Sequence, residues 1–316
     1  MYHSIEGGVC AAAGFKAAGV HVGVKTHAAW KRDVALIVSE VPCAAAGVFT
    51  TNAVKAAPIH ITKAHLSDGK ARAIIANSGN ANACAPDGEE NAERMCAAAA
   101  KAIGCDASEV LVASTGVIGQ KLNVEVIENG VPELFAALEH SAEASDAAAH
   151  AIMTTDTVKK EEAAETVIGG KTVRIGGIAK GSGMIHPNMG TMFCFITTDC
   201  AISVPMLHQA LLTVARRTFN RISVDGDTST NDTFCALANG LAGNPEITAE
   251  GPDYNAFLET LESLCRTLAR KMAKDGEGAK HLITCTVKGA DSDKQAEVIA
   301  KSVISSTLTK AAVFGC

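Results

Sequence analysis

Apolar positions along this chain change their period from one segment to the next, and each change marks an element. DVALIVSE (33–40) and ARAIIANS (71–78) are short, rich in Val, Ile and Ala and bounded by polar residues, which is the pattern of buried strands. NAERMCAAAAKAIG (91–104) is an Ala-rich helical run closed by Gly104. EVLVASTGVIG (109–119) predicts a strand running into a loop of small residues. Helical patterns return over 124–139, with a break expected at Gly130 and Pro132, and over 142–153. AETVIGGKTVRIGGIAKG (164–181) reads as a hairpin turning on Gly169 and Gly170. Met192 to Ile196 is an unbroken apolar run with the length of a buried strand. The clearest helix is 253–274, where Phe257, Leu261, Leu264, Leu268 and Met272 form one stripe. HLITCTVKG (281–289) follows as a strand and 293–312 as a helix, with no internal repeat and no low-complexity linker. Strands alternating with helices predict α/β or α+β layers, without choosing a topology.

Composition narrows this. Of 316 residues, 47% are hydrophobic but only 4% aromatic, so the core must be built from Ala, Val, Ile and Leu. The formal net charge of −6 and the absence of any Lys/Arg block supply no footprint for nucleic acid or an anionic membrane surface. MYHSIEGGVC lacks the basic start and apolar core of a secretory signal, and no stretch approaches the roughly 18 apolar residues of a membrane span, so the expected compartment is the cytosol. Eleven scattered cysteines, with no C-x-x-C pair, read as small core residues ahead of a disulfide framework or a zinc site.

Several motifs imitate known sites and fail on detail. AKGSGMIH (179–186) is glycine-rich, but Lys180 precedes Gly181, the reverse of a phosphate-loop order, and the third glycine of a dinucleotide fingerprint falls on His186. DGDTSTND (225–232) has the alternating carboxylates of a calcium loop but Ser229, Thr230 and Ala236 at ligand or turn positions, so hydrogen-bonded turn residues are the better reading. His186 beside Pro187 invites a catalytic-base reading. No Ser or Cys in a recognisable elbow pairs with it, which favours a positioning or surface role.

MIHPNMGTMF (184–193) is different, because a turn rich in Pro, Asn and Gly hands directly to Thr191 at the head of the apolar run. An ordinary turn-to-strand junction accounts for this. So does intramolecular cleavage, in which the Thr191 hydroxyl attacks the Gly190 carbonyl and the ester is hydrolysed to leave chains 1–190 and 191–316. Glycine tolerates the backbone geometry this needs. The free α-amino group, with a reference pKa of about 7.7–8.0, then serves as general base for its own hydroxyl.

KGSGMIHPNMGTM (180–192) closely resembles the processing and nucleophile motif of the ornithine acetyltransferase family, also called glutamate N-acetyltransferase. GFKAAGVHVGVK (14–25), FTTNAVKAAPI (49–59), NSGNANAC (77–84), STGVIG (114–119), MTTDT (153–157), SVDGDTSTND (223–232) and DGEGA (275–279) resemble its motifs in its order, from about residue 7 to the end. The resemblance implies an N-terminal-nucleophile-like α/β/β/α sandwich. It implies Thr191 as nucleophile, exposed by self-cleavage after Gly190, Thr115 and Gly116 as oxyanion hole, and Thr157, Lys180, Thr191 and Glu277 as substrate-binding residues. It further implies ping-pong transfer of acetyl from N-acetylornithine to glutamate in arginine biosynthesis, with no cofactor or metal, though some members also take acetyl-coenzyme A. The partners implied are the chain's own two pieces, associated into larger oligomers. Opposite charges at Lys180 and Glu277 suit the carboxylate and ammonium of an amino acid; apart from the motifs, each reads as a solvated surface charge.

Two departures stand out. Many members have Ala at the positions of His186 and Gly190. The family also continues for several dozen residues after the segment resembling 293–315, with an Asp-Pro-Asn-Trp stretch and an Asn and Thr/Ser that complete the substrate site. The expectation is therefore a catalytic domain over 1–280 and, over 281–316, the start of an incomplete lobe, as in a truncated sequence. Two alternatives are a related self-cleaving aminopeptidase and a fragment that folds but never matures.

Overall fold

The computed structural model describes residues 2–26, 28, 30–186 and 192–315. β1 (His3–Ile5), β2 (Phe15–Val20) and β3 (Val34–Phe49) lead into α1 (Ala57–His65), β4 (Lys70–Asn80), α2 (Gly88–Ile103) and β5 (Val110–Val117). Next come α3 (Val124–Ala136), α4 (Ala142–Ala151), β6 (Lys160–Ile168) and β7 (Lys171–Lys180). The last elements are β8 (Phe193–Thr198), α5 (Val204–Arg217), β9 (Thr233–Ala238), α6 (Pro252–Lys274), α7 (Asp293–Ser305) and α8 (Thr307–Phe314).

The strands are hydrogen-bonded in the order β1-β6-β7-β8-β9-β3-β4-β5, with β2 also on β3. β3 joins two half-sheets. Its first half pairs with β2 and β4, its second half with β9, and its register against β4 shifts between Val38 and Cys43. Pro42 lies in that interval, where a missing N–H costs the ladder nothing. Two β-α-β units give the parallel pairs, β4 with β5 across α2 and β8 with β9 across α5.

Alternation along the strands stacks the halves. Leu36, Ile75 and Val112 pack on one side with Met95 and Ala99 of α2 and Ile127 of α3. Their neighbours Ile37, Ile74 and Leu111 turn inward, where they share a core with Phe193, Phe195, Cys235 and Leu237 from the other half. Cys194, Ile196, Phe234 and Ala236 face outward onto Leu207 and Leu211 of α5 and Phe257, Leu261 and Leu268 of α6. The result is the layered α/β/β/α sandwich.

Three expectations need correction. α3 runs unbroken through Gly130 and Pro132, because buried Ile127, Val131 and Leu134 hold its pitch against the core. The helix expected over 293–312 is two helices, since the Ser306 hydroxyl accepts the Thr309 N–H at 3.2 Å and caps a fresh start. The strand expected over 281–289 does not form. Its alternation shows in burial, but no strand pairs with it, and a strand needs a partner. Neither α7 nor α8 has a buried residue. No helix of the described residues is long and apolar enough to cross a membrane.

Candidate active site

Thr191 and Gly190 lie outside the described residues, but their surroundings are defined on both sides. Downstream, Met192 is 5% exposed and its carbonyl accepts the Thr233 N–H at 2.9 Å, which sets the parallel start of β8 against β9. Upstream, Ile185 and His186 are held by the loop before β9. The Asp225 carboxylate accepts the Ile185 N–H at 2.9 Å, the His186 N–H donates to the Asp227 carbonyl at 3.1 Å, and the His186 Nδ1 pairs with the Ser223 hydroxyl at 2.9 Å. DGDTSTND thus grips the chain ahead of Gly190, and its Asp225 carboxylate is used on the backbone amides of Ile185 and Asp227. Burial, then Lys301 and Lys310, pushes the His186 imidazole down.

The ends of β5 and β7 meet at the same place, from opposite halves of the sandwich. The buried Lys180 ammonium donates to the Thr115 hydroxyl at 3.3 Å. Gly116 follows with a φ of +135°, and a Cβ there would lie 2.3 Å from the Gly79 carbonyl carbon on β4. Only glycine fits a backbone this close and this twisted. Burial lowers the Lys180 pKa, while Asp156, Asp232 and Glu277 act to keep it charged.

Thr157 and Glu277 reach the site through Asp275. The Asp275 carboxylate accepts the Thr157 hydroxyl and, at 3.0 Å, its N–H. Two residues on, the Glu277 N–H donates to the Ser182 carbonyl at 3.1 Å, and its carboxylate lies so close over Gly183 that a Cβ there would sit 2.5 Å from it. Thr115, Gly116 and Lys180 therefore share one point, with Thr157 and Glu277 exposed on two loops beside it. A groove of 650 Å³ between α6 and the 278–314 segment touches Glu277 but none of the other predicted residues.

Sequence reasoning missed two groups here. Asn231, 6% exposed, donates from Nδ2 to the carbonyls of Ala81 and Ser114, both at 2.6 Å, and so ties β9 to the start of the Thr115 loop. Replacing it with Ala orphans two buried carbonyls and is expected to cost about 2–4 kcal/mol, read as a lower urea midpoint at unchanged slope. Asp232 is 3% exposed, and burial pushes its carboxyl well above the usual range against the Met192 N–H and Lys180. The available signal was a polar pair, Asn-Asp, directly abutting an apolar strand.

The sequence matches identify the sandwich carrying this mouth as the body of an N-acyltransferase. The chain belongs to the ArgJ family, which it matches over residues 16–316. It is 51% identical over 312 residues to the arginine biosynthesis bifunctional protein ArgJ of Symbiobacterium thermophilum, covering 98% of this chain and 77% of that protein. Its structure is similar to the crystal structure of the Bacillus halodurans ArgJ protein, with a TM-score of 0.57 and 44% identity over 60% of this chain and 98% of that one. It is also similar to a Mycobacterium tuberculosis ornithine acetyltransferase complexed with ornithine, with a TM-score of 0.55 and 41% identity over 61% of this chain and all of that one.

Proposed function

We propose that this chain transfers an acetyl group from N-acetylornithine to glutamate through an ester on Thr191, after cutting itself between Gly190 and Thr191. In the first half-reaction the Thr191 α-amino group removes the proton of its own hydroxyl, and Oγ attacks the acetyl carbonyl. The Thr115 hydroxyl and Gly116 N–H receive the oxyanion. The proton passes to the leaving amine, and ornithine departs. Glutamate then attacks the acetyl ester by the reverse sequence, giving N-acetylglutamate and free Thr191. Lys180 takes the α-carboxylate of either amino acid, while Glu277 and the Thr157 hydroxyl hold its polar groups. No cofactor enters the scheme, and the acetyl group travels on protein oxygen.

The observation that carries this reading is the contact between Lys180 and Thr115 where the strand after Thr191 begins, which supports the one as substrate cation and the other as oxyanion donor. The relatives' designation as bifunctional supports acetyl-coenzyme A as a second donor to the same threonine. The two solved chains, matched almost in full, span 60% and 61% of this one, a share equal to that of the 1–190 piece, which supports the cut. The enzyme works in the cytoplasm as an oligomer of processed units.

The test is an acid-quenched incubation with N-acetylornithine followed by mass analysis. The peptide beginning at Thr191 should gain one acetyl group, and glutamate should discharge it as N-acetylglutamate. A peptide that stays unmodified while the chain is cut would rule out acyl transfer through Thr191.

A further inference from the structure

One fully buried charge among the described residues is on no substrate-facing residue. Lys160, at the start of β6, is fully buried. Its ammonium donates to Asp156 at 2.7 Å, to Asp275 at 2.6 Å and to the Val158 carbonyl at 3.1 Å. Each of its two carboxylates in turn holds another loop. Asp156 accepts the Gly181 N–H at 2.8 Å, directly after Lys180, and the Thr154 N–H at 3.1 Å. Asp275 holds Thr157 by hydroxyl and N–H, and its own carbonyl accepts the Ser182 hydroxyl at 2.6 Å, two residues before Glu277.

Two carboxylates around one ammonium leave one negative charge over. Lys180 is the next cation, close enough that it and Lys160 together outweigh burial and hold Asp156 below the usual carboxylate range. The four groups are balanced only when Lys180 is protonated. Burial pushes the Lys180 ammonium down and Lys160 adds to that, while Asp156, Asp232 and Glu277 oppose it.

We propose that Lys160 is the positioning residue of the substrate site: by joining Asp156 to Asp275 it fixes Thr157, Lys180 and Glu277 relative to one another while touching no substrate itself. The inference rests on the acetyl-transfer reading above. Misplacement of binding groups by about 1 Å is enough to cost on the order of 100-fold in rate. The loss should fall on amino-acid substrates, because only they have a carboxylate and an ammonium to place.

The experiment compares two acetyl donors on wild type, Lys160→Met and Asp275→Asn. N-acetylornithine needs the three binding groups; p-nitrophenyl acetate is small and uncharged and needs only Thr191 and the oxyanion hole. With N-acetylornithine, kcat/KM is expected to fall roughly 100-fold in both variants, with most of the change in KM, while the p-nitrophenol burst stays within about threefold of wild type. Equal losses on both donors would mean a merely structural lysine and overturn the proposal, as would unchanged kinetics with N-acetylornithine. Asp275→Asn leaves one intact ion pair and decides the question if Lys160→Met does not fold. A wild-type enzyme that shows the burst but transfers nothing from N-acetylornithine would instead sink the substrate assignment.

Discussion

Thr191→Ala is expected to leave the chain as one uncut species of 316 residues, where the wild type resolves under denaturing conditions into pieces of 1–190 and 191–316. Alanine removes the hydroxyl proposed to attack the Gly190 carbonyl, which is also the atom that would carry the acetyl group. Cutting and transfer should therefore vanish together, with transfer falling by the full catalytic factor and not by the partial loss that follows removal of a supporting group. Folding should be unaffected, since β8 is anchored from Met192 onward. Intact mass and the ornithine released per enzyme read both effects. Wild-type and variant chains that both stay whole would leave the fragment that never matures as the better description. Thr191→Ser, which keeps a hydroxyl, should restore both activities in part.

The second large effect is expected at Gly116. Alanine there would place Cβ 2.3 Å from the Gly79 carbonyl carbon and 2.5 Å from the Asn80 nitrogen, both backbone atoms that no rotamer change can move. The end of β5 has to shift, and with it the N–H proposed to meet the oxyanion. Loss of one such donor is worth about 100- to 1,000-fold in kcat. KM should change little, because Lys180, Thr157 and Glu277 are held from other strands and loops. Gly119→Ala is the control. It has a positive φ of +79° but nothing within 4 Å of a new Cβ, so it should cost about 1 kcal/mol of stability and leave kcat near wild type.

The order of strands and helices made α/β or α+β layers legible, and the particular sandwich was legible only through the family resemblance. In ARAIIANS and EVLVAS successive residues do divide between the outer helices and the inner core. What the pattern hid was the joint between the half-sheets. VPCAAAGVF, with its proline and small residues, does not read as a continuation of DVALIVSE, yet β3 runs through it for 16 residues. Small side chains are tolerated there because two neighbouring strands supply the packing. The residues proposed to bind substrate could be picked out only through the motifs that contain them. Lys160 was invisible for a physical reason. It opens a strand whose next two residues are acidic, a sequence that looks like a solvated face, and its partner Asp275 is 115 residues away. Only the folded chain shows that this lysine is fully enclosed.

The order β7-β8-β9-β3 decides what a cut after residue 190 can achieve. β8 and β9 belong to the second piece, yet they lie side by side with a strand of the first piece on each flank, six residue pairs on either side. Neither fragment could build its half of the sandwich alone: one would lack the middle of its sheet and the other would have two bare strand edges open to aggregation. The processed enzyme would be a heterodimer whose subunits have no independent folded existence. Two genes encoding the pieces separately would have to be expressed together and assembled while still unfolded, and a processed molecule once denatured should recover far less readily than the uncut Thr191→Ala chain.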